Sequence, residues 1–427
     1  MKDYFQSAVD DTMRLISYNS VQSSPCALSP FGEGVGRCLD AWADIALSLG
    51  FAVHNEDGYY VTADIGDGET FGILGHMDVV PLGEGWTHNP LGEIDGGIIY
   101  GRGIMDDKGP MTLCLYAVKE LLDMGLEPKY RLRFIAGGNE ESGWQCIERY
   151  KQVDKMPDIG FSPDADFPVI NCEKGLVHYS IVMDAPNGLI SLRGGERGNV
   201  VMPYCKAVVS FPVKDVDGVT VSRNGDLYIV EANGTPAHAS TPAQGDNALW
   251  HVLGALAESA GGEYCSLRDA LSNDSGAGVG IAMQDALSGA LTANVGVADC
   301  NDGKLSLILD VRHPISVSKE DIAKMISARL NAKVSIVHYH DPHYVSEESE
   351  LVQGLLGAYN DVTGSNLKPI AIGGGTYARA LKGGVAFGPG FPDKPLTIHQ
   401  KDERISLDDF RAMYEIYRGA IKRVCFR

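Results

Sequence analysis

Five short stretches of the sequence place acidic and histidine residues beside glycines. They are GHMDVVP (75–81), GRGIMDDKG (101–109), GGNEESG (137–143), GFSPDADFP (160–168) and LTIHQKDE (396–403). Four of the five directly follow a segment with the pattern of a β-strand. Because ligands in open α/β sheets gather at the carboxyl ends of strands, we expect these stretches to converge on one site.

The donor atoms in these stretches are carboxylate oxygens and imidazole nitrogens, a mixture that suits zinc, manganese or another divalent ion. Two histidines and three carboxylates are too many for one tetrahedral site, but they suffice for two ions about 3.5 to 4 Å apart that share a carboxylate. His76 and Asp78 lie two residues apart, so the aspartate can accept the second imidazole N–H. Alone, an H-x-D pair is more often a core histidine beside a surface aspartate, and adjacent aspartates alone favour a helix N-cap.

The overall composition is typical of a globular protein with a sizeable core, since 44% of the 427 residues are hydrophobic and 22% are charged. The formal net charge of −20 and the pI of about 4.9 disfavour nucleic acid and anionic membranes as partners and favour cations. The nine cysteines are scattered without a C-x-x-C pair, which indicates free thiols in a reducing compartment. With no apolar run near the roughly 18 residues of a membrane span and no signal-like start, a cytoplasmic location is expected.

Hydrophobic periodicity predicts alternating helices and strands in the N-terminal part. Apolar residues recur at helical spacing over 4–16, 35–49 and 111–124. The segment FAVHNEDGYYVTADI has Asp57-Gly58 at its centre and predicts a hairpin, while TFGILGH and YRLRFIAGG are typical of buried strands that end in glycine-rich loops. This alternation predicts an α/β layer.

The pattern changes after about residue 178. Strand-rich segments follow, such as YSIVMDA, CKAVVSFPV, DLYIVEA and KLSLILDVRH, with a helix over 319–330. From about residue 345 the sequence returns to a helix over 350–362, the glycine-rich GGGTYAR, and a final helix over 407–422. The simplest arrangement is a discontinuous α/β domain, 1–177 plus 345–427, with an inserted α+β domain at 178–344.

Seven motifs in order carry a family resemblance: GHMDVVP, GRGIMDDKG, GGNEESG, PDADFP, NGTPAHASTP, GGGTYAR and IHQKDE. They resemble the co-catalytic zinc peptidase superfamily of aminoacylase, desuccinylase, carnosinase and carboxypeptidase G, and the resemblance covers the whole chain. Within it, GFSPDADFPVINCEKG and GGGTYARA are most similar to bacterial dipeptidases of the peptidase V type. The resemblance implies a discontinuous metallopeptidase catalytic domain, a sheet flanked by helices, with an inserted α+β lid.

The resemblance also implies a ligand set for two divalent ions per chain. His76, Asp106 and Asp164 would hold one ion, and Asp106, Glu141 and His399 would hold the other, so that Asp106 bridges the two. Zinc is the first expectation for both ions, with manganese and cobalt tolerated by the same ligands.

Two further carboxylates receive catalytic roles from the resemblance. Asp78 would be the partner of His76, and Glu140 would be the general base that takes a proton from a metal-bridged water. The family also usually holds the peptide bond after the bridging aspartate, here between Asp106 and Asp107, in the cis form.

The inserted domain and the GGGTYAR motif supply the remaining candidates. By the resemblance, His238 of NGTPAHASTP would stabilise the tetrahedral oxyanion. Asn199 of RGNVVMP would contact substrate, and Arg312 of LILDVRHP would bind the terminal carboxylate of the substrate, a task suited to a guanidinium. Gly375 and Thr376 of GGGTYAR are further substrate-binding candidates.

These features favour a metal-dependent dipeptidase that acts on short peptides with a free amino terminus. The lid is longer than in dimeric relatives, as in peptidase V types where it replaces a partner subunit, so we expect a monomeric catalytic unit with His238 acting in cis. The alternative is an N-acyl amino acid amidohydrolase of the aminoacylase or desuccinylase type. A non-catalytic metal-binding scaffold is a third possibility, but such a protein would not need Glu140.

Overall fold

The computed structural model describes residues 2–427, and the chain divides into two compact units. The first unit comprises the residues up to Asn171, Val345–Ile370 and Thr376–Arg427, and the second comprises Cys172–Tyr344 and Ala371–Gly375. The domain limits inferred from the sequence stay predictions. Their boundary between residues 177 and 178 falls inside a strand, Gly175–Asp184, that pairs over its whole length within the second unit.

Residues 2–427 contain nine α-helices and 24 β-strands. The α-helices are α1 (Tyr4–Ile16), α2 (Glu33–Ser48), α3 (Lys108–Asp123), α4 (Gln145–Val153), α5 (Ala248–Ala260), α6 (Gly262–Leu271), α7 (Lys319–Leu330), α8 (Glu350–Thr363) and α9 (Leu407–Cys425). The first strands are β1 (Ala52–Glu56), β2 (Tyr60–Ile65), β3 (Thr70–His76), β4 (Glu93–Asp95), β5 (Ile98–Tyr100), β6 (Arg131–Gly137), β7 (Ile159–Ser162), β8 (Ala165–Asp166) and β9 (Ile170–Glu173). The middle strands are β10 (Gly175–Asp184), β11 (Leu189–Gly194), β12 (Tyr204–Val209), β13 (Val219–Asn224), β14 (Leu227–Asn233), β15 (Gln284–Asp285), β16 (Gly289–Ala290), β17 (Thr292–Asn301) and β18 (Lys304–His313). The last strands are β19 (Lys333–His340), β20 (His343–Tyr344), β21 (Ile370–Ile372), β22 (Gly383–Ala386), β23 (Pro389–Gly390) and β24 (Arg404–Ser406).

The first unit is built on a mixed sheet with the strand order β1-β2-β6-β3-β7-β22-β9. Strand β3 runs parallel to both β6 and β7, and β22 runs parallel to β7. Six of the seven residues of β3 and of β6 are buried, as expected for parallel strands that are covered on both faces. The predicted hairpin is confirmed: β1 pairs with β2 across the three-residue loop 57–59, in which Asp57 and Gly58 have φ values of 47° and 69°, in the left-handed region.

Local side chains explain where three helices of the first unit begin. Helix α1 begins after Asp3, whose side chain accepts the Gln6 N–H, and α9 begins after Ser406, which accepts the Asp409 N–H. Helix α3 begins at Lys108, three residues before the predicted start, because Pro110 is tolerated in a first turn where no intrahelical N–H bond is needed. Helices α1, α3, α8 and α9 pack on one another through their apolar faces.

The second unit contains an antiparallel sheet with the strand order β13-β14-β12-β11-β17-β18-β10-β19. Helices α5, α6 and α7 contribute buried apolar side chains to its core, among them Leu249, Leu267 and Ile322. The predicted helix over 319–330 coincides with α7, which Ser318 caps by accepting the Asp321 N–H. Helices α5 and α6 are additions to the strand-rich pattern that the sequence indicated. Within residues 2–427, no helix is both long enough and apolar enough to span a bilayer.

Candidate metal centre

The ends of three parallel strands deliver four of the predicted residues to one edge of the first-unit sheet. His76 is the last residue of β3 and pairs in register with Gly137, the last residue of β6. Glu140 and Glu141 follow β6 after a short turn, and Asp164 follows β7. For the three stretches that follow β3, β6 and β7, the expected convergence is confirmed by the strand order.

Asp106 reaches the same place from the loop between β5 and α3. The peptide bond between Asp106 and Asp107 is cis, as the resemblance implied. Glu403 holds this loop, because its Oε1 accepts the N–H groups of Gly103 and Met105, each at 3.1 Å. The other oxygen of Glu403 accepts a hydrogen bond from Arg102 at 2.6 Å, and both side chains are buried.

His399 comes from the loop before β24. Its φ of 63° lies in the left-handed region, uncommon for a residue with a side chain, and Asp402 in the same loop has a φ of 53°. The Asp402 carboxylate accepts the N–H groups of Thr87 and His88 at 2.8 and 3.2 Å. The loop is thus anchored just after the turn that presents His399.

His76 is fully buried and its two ring nitrogens face different groups. Nδ1 lies 3.0 Å from the main-chain carbonyl oxygen of Asp78 and 3.4 Å from its carboxylate. A carbonyl oxygen can only accept, so Nδ1 carries a hydrogen and Nε2 of the neutral ring has a free lone pair. Nε2 lies 2.8 Å from Asp106 Oδ1 and 3.5 Å from Asp164 Oδ2.

Asp78 has a larger part in the site than the sequence indicated. Its Oδ1 accepts the N–H of Glu140 at 3.0 Å, and its Oδ2 accepts the N–H of Glu141 at 3.1 Å. One buried carboxylate therefore fixes the backbone of both adjacent glutamates, while its carbonyl oxygen orients His76. The predicted bond from His76 goes to the main chain of Asp78, with the carboxylate somewhat farther away.

The second half of the cluster joins His399 to two carboxylates. His399 Nε2 lies 2.8 Å from Asp106 Oδ2 and 3.1 Å from Glu141 Oε1. Asp106 therefore has one oxygen beside each histidine. This is the arrangement that a bridging carboxylate between two ions would have.

The residues fit divalent cations, on the evidence of two unpartnered buried atoms. His76 Nε2 and Asp106 Oδ1 are buried without a hydrogen-bond partner, although they lie 2.8 Å apart. With the His76 hydrogen on Nδ1, both atoms present lone pairs to each other, and a cation between ligands would satisfy both.

The titration behaviour of the metal-free cluster leads to the same conclusion. Burial lowers the pKa of His76, but the carboxylates of Asp106, Asp164 and Asp78 outweigh it and raise that pKa well above its usual value. Asp106 and Glu141 raise the pKa of His399 to about 10. Burial and the Asp106 charge raise the pKa of Asp164 to about 6. In the metal-free protein, protons therefore compensate a charge excess that metal ions would otherwise neutralise.

Glu140 differs from Glu141 in its surroundings. Its Oε1 accepts a hydrogen bond from the Trp144 indole N–H at 2.9 Å, whereas Glu141 faces His399. Burial, with added repulsion from Asp164, raises the pKa of Glu140 to about 8. The two neighbours thus project to different partners, which is the difference that their predicted roles require.

Within residues 2–427, two groups of three possible ligands have donor atoms within 4.8 Å of one another. One is His76, Asp106 and Glu141, and the other is His76, Glu140 and Asp164. Glu140 is therefore near enough to be a ligand as well as a base. The ligand assignment stays a prediction, and the Glu140 variant described in the Discussion distinguishes the two roles.

The other predicted residues lie outside this cluster, in the second unit except for Thr376. His238 and Asn199 are exposed and lie on adjacent segments that form an antiparallel bridge between Val200 and His238. Gly375 is exposed, and Thr376 is buried, where its hydroxyl accepts the Ala378 N–H.

Arg312 is 2% exposed and is already paired within the second unit. Its Nε and Nη2 donate to Asp310 at 2.6 and 2.9 Å, and its Nη1 donates to the Gly373 carbonyl at 2.9 Å. A bidentate bond to a substrate carboxylate would have to compete with Asp310. Its predicted role remains a prediction with this added constraint.

Sequence reasoning missed three supporting residues. Glu403 lies in the IHQKDE motif and organises the Asp106 loop, and Trp144 bonds Glu140. Asp107 is the N-cap residue of α3, yet its side chain makes no capping bond and instead accepts the His76 N–H at 3.3 Å. A side chain at Gly75 would collide with Asp107 Oδ2, which explains the glycine before His76. The glutamate two residues after Gln-Lys and the tryptophan after GGNEESG were visible signals that the motif matching did not use.

Comparison with known proteins identifies the family. The model of Peptidase family M20/M25/M40 matches residues 72–423. The chain belongs to this family. The resemblance deduced from the motifs is thereby confirmed, together with a peptidase class of hydrolase and divalent metal ions as its cofactors.

Three similar proteins illustrate the relationship. "Putative dipeptidase YtjP" of Bacillus subtilis (strain 168) is 36% identical over 448 residues, which cover 97% of this chain and 96% of that protein. "Putative dipeptidase SH1171" of Staphylococcus haemolyticus (strain JCSC1435) is 32% identical over 463 residues, covering 100% and 98%. The crystal structure of aminoacylhistidine dipeptidase from Vibrio alginolyticus matches with a TM-score of 0.60 at 13% identity over 98% of this chain and 97% of that one. This last match shows the fold, a catalytic domain with an inserted lid.

Proposed function

We propose that this family member hydrolyses the peptide bond of dipeptides that have a free amino terminus. The observation that carries the proposal is the cluster in which the buried atoms His76 Nε2 and Asp106 Oδ1 lie 2.8 Å apart and neither has a hydrogen-bond partner. The preference for dipeptides is supported by relatives that are named putative dipeptidases and that align with this chain over nearly their full length.

The proposed cofactors are two divalent ions per chain, zinc first, with manganese and cobalt compatible with the same donors. His76, Asp106 and Asp164 would hold one ion, and Asp106, Glu141 and His399 the other. When bound, such ions polarise a carbonyl and lower the pKa of water toward neutrality.

Glu140 is the proposed general base. Its backbone is held by Asp78 and one carboxylate oxygen is held by Trp144, so the other oxygen is free to take a proton from water and return it to the leaving amine. Asp78 supports both this position and the orientation of His76.

The second unit supplies the proposed substrate contacts. His238 would donate a hydrogen bond to the oxygen that becomes negative as the carbonyl is attacked. Asn199, Arg312 and Gly375, with Thr376 of the first unit, would bind the rest of the substrate. We further propose that the catalytic unit is a monomer in which His238 acts in cis. A cytoplasmic location is supported by nine cysteines that all carry free thiols.

The substrate assignment is tested with purified protein and three substrate types: free dipeptides, the same dipeptides N-acetylated, and tripeptides. Each is assayed before chelation, after chelation and after metal is restored. We expect hydrolysis of free dipeptides that stops on chelation and returns with metal. Hydrolysis of acetylated substrates alone would assign the protein to the amidohydrolases of N-acyl amino acids.

The monomer proposal is tested by mixing two inactive variants, Glu140→Gln and His238→Ala. We expect the mixture to stay inactive, because one chain completes its own site. Recovery of activity would show that one subunit completes the site of another.

A further inference from the structure

Ser240, two positions after His238, forms hydrogen bonds with the His238 side chain. The Ser240 hydroxyl oxygen lies 2.7 Å from His238 Nδ1, and the Ser240 backbone N–H points at the same nitrogen with an N-to-N distance of 3.2 Å. Both contacts lie within the second unit. They concern the one ring nitrogen that decides which tautomer the neutral imidazole adopts.

A backbone N–H can only donate, so His238 Nδ1 is an acceptor and the hydrogen of the neutral ring lies on Nε2. The Ser240 hydroxyl can rotate to donate to the same nitrogen and strengthen the preference. We propose that Ser240 is a positioning residue that fixes His238 as the Nε2–H tautomer, so that the ring presents a hydrogen-bond donor to the reacting carbonyl oxygen. The proposal rests on the role of His238 given above and adds the residue that sets its hydrogen.

The backbone around this pair is held on both sides. The Ala239 N–H donates to the Asn199 carbonyl at 3.0 Å, and the Val201 N–H donates to the Ala237 carbonyl at 2.9 Å. After the turn, the Thr241 N–H donates to the His238 carbonyl at 3.0 Å. The Ser240 contact is therefore made from a fixed segment.

Two buried side-chain amides support the segment opposite His238. The Asn294 side chain donates to the carbonyls of Val200 and Gly198 at 3.0 and 3.3 Å, and Asn247 donates to Asn294 in turn. Asn294 and Asn247 are 2% and 1% exposed. This network keeps the 199–201 segment in register with the segment that carries His238.

The tautomer of His238 determines what the ring can donate, because the imidazole is neutral. Partial desolvation of the ring by the surrounding protein, together with the positive charge of Arg312, lowers the pKa of His238 from its usual value, while Asp310 opposes that change. The ring is therefore neutral at neutral pH, and a neutral ring has only one N–H to offer. If that hydrogen lay on Nδ1, the ring would face the carbonyl oxygen with a lone pair, and the two would repel.

The competing explanation is that Ser240 only shapes the turn, as serines commonly do by bonding to nearby groups. A turn role predicts a change in folding stability without a change at the imidazole. The positioning role predicts a change at the ring nitrogens and in turnover. The test therefore needs a spectroscopic measurement of the ring beside the kinetics.

The tautomer is measured by long-range ¹H–¹⁵N correlation spectra of metal-free protein labelled at the histidine ring nitrogens, at about pH 8, where an ordinary histidine is neutral. His238→Gln identifies the His238 signals by their loss. We expect a hydrogen on Nε2 and a hydrogen-bonded acceptor signal from Nδ1. In Ser240→Ala the Nδ1 signal shifts toward that of an unbonded nitrogen, and Ser240→Thr restores it. A hydrogen on Nδ1 in the unaltered protein, or no change of the ring signals in Ser240→Ala, would overturn the proposal.

The kinetic measurement uses the same variants loaded with metal. We expect Ser240→Ala to lower kcat about tenfold with little change in KM, the size of one hydrogen bond, while the Thr variant recovers most of kcat. Ser222→Ala, at an exposed serine of β13 in the same unit, is the matched control and should leave both quantities unchanged. Unchanged kcat in Ser240→Ala would also contradict the proposal. If no dipeptide is hydrolysed but the ring signals behave as expected, the substrate assignment fails while the Ser240 assignment stands.

Discussion

The two units hold their candidate functional side chains by different means. In the first unit, carboxylates face the buried His76 and the exposed His399 at 2.8 to 3.5 Å, and two buried atoms, His76 Nε2 and Asp106 Oδ1, have no hydrogen-bond partner. In the second unit, His238 is exposed and is held by a hydroxyl and a backbone N–H from Ser240. One region therefore concentrates negative charge, whereas the other controls the direction of a hydrogen bond.

This difference separates metal binding by a charged cluster from hydrogen-bond donation by a neutral ring. A cluster of like charges is stable only when protons or cations compensate it, so its variants should change metal content together with activity. A neutral donor needs no ion, so its variants should change turnover and leave metal content unchanged. The predictions below test this separation, from the largest expected effect to the smallest.

The largest effect is expected from Asp106→Asn, which removes the charge between His76 and His399 while keeping the shape. Both proposed ions lose a ligand, so we expect metal content to fall and dipeptide hydrolysis to drop more than about a thousandfold, since the water and carbonyl lose their activation. Metal analysis and a hydrolysis assay measure the two changes. Asp67→Asn, at an exposed turn residue of the same unit, should change neither. Full metal content in Asp106→Asn would refute the bridging assignment.

The next effect is expected from Glu140→Gln. The amide keeps the size of the side chain but cannot take a proton, so turnover should fall roughly 10²- to 10⁴-fold while both ions remain bound. Glu148→Gln on α4, where the glutamate contacts Lys151 at the surface, is the matched control. Loss of metal in Glu140→Gln would instead make Glu140 a ligand, in line with its proximity to His76 and Asp164.

His238→Ala tests the other side of the comparison. Removal of one hydrogen-bond donor to a developing oxyanion costs roughly 10²- to 10³-fold in kcat, and we expect a loss of that size. Metal content should stay at the level of the unaltered protein. His251→Ala, at a histidine of α5 that pairs with Asp246 in the same unit, serves as the control. If His238→Ala loses metal, the separation between the two regions fails.

The sequence predicted the parts of the site that depend on residue type and strand position. His76, Glu140, Glu141 and Asp164 lie in the first-unit cluster because parallel strands bring their carboxyl ends to one edge. Asp106 and His399 join them from loops outside those strands. Helices such as α1 and α7 were predicted to the residue because a capping side chain and a clear apolar periodicity coincide there.

The rest depended on contacts between residues distant in sequence. The motif shows an acidic residue at Glu403, but it does not identify its partners, two N–H groups of the Asp106 loop some 300 positions earlier. The bonds from Asp78 to Glu140 and Glu141 likewise join segments on different strands. Helix α5 was missed because its apolar residues surround most of the helix, so the one-sided pattern of a surface helix is weak.

The smallest effect is expected from Asp78→Asn, which tests whether the first-unit cluster also depends on hydrogen-bond direction. The aspartate accepts from Glu140 and Glu141 with separate oxygens, whereas an asparagine offers one oxygen and turns an NH₂ group toward the other N–H. The two glutamates would shift and His76 would lose part of its support, so we expect metal affinity about 10- to 100-fold weaker, with activity recovered at high metal concentration. Titration of metal-free protein measures the affinity, with Asp95→Asn at an exposed position of β4 as the control. If metal affinity is unchanged but turnover at saturating metal falls, Asp78 acts through Glu140 alone. Asp78 would then position Glu140 by hydrogen bonding, as Ser240 is proposed to position His238.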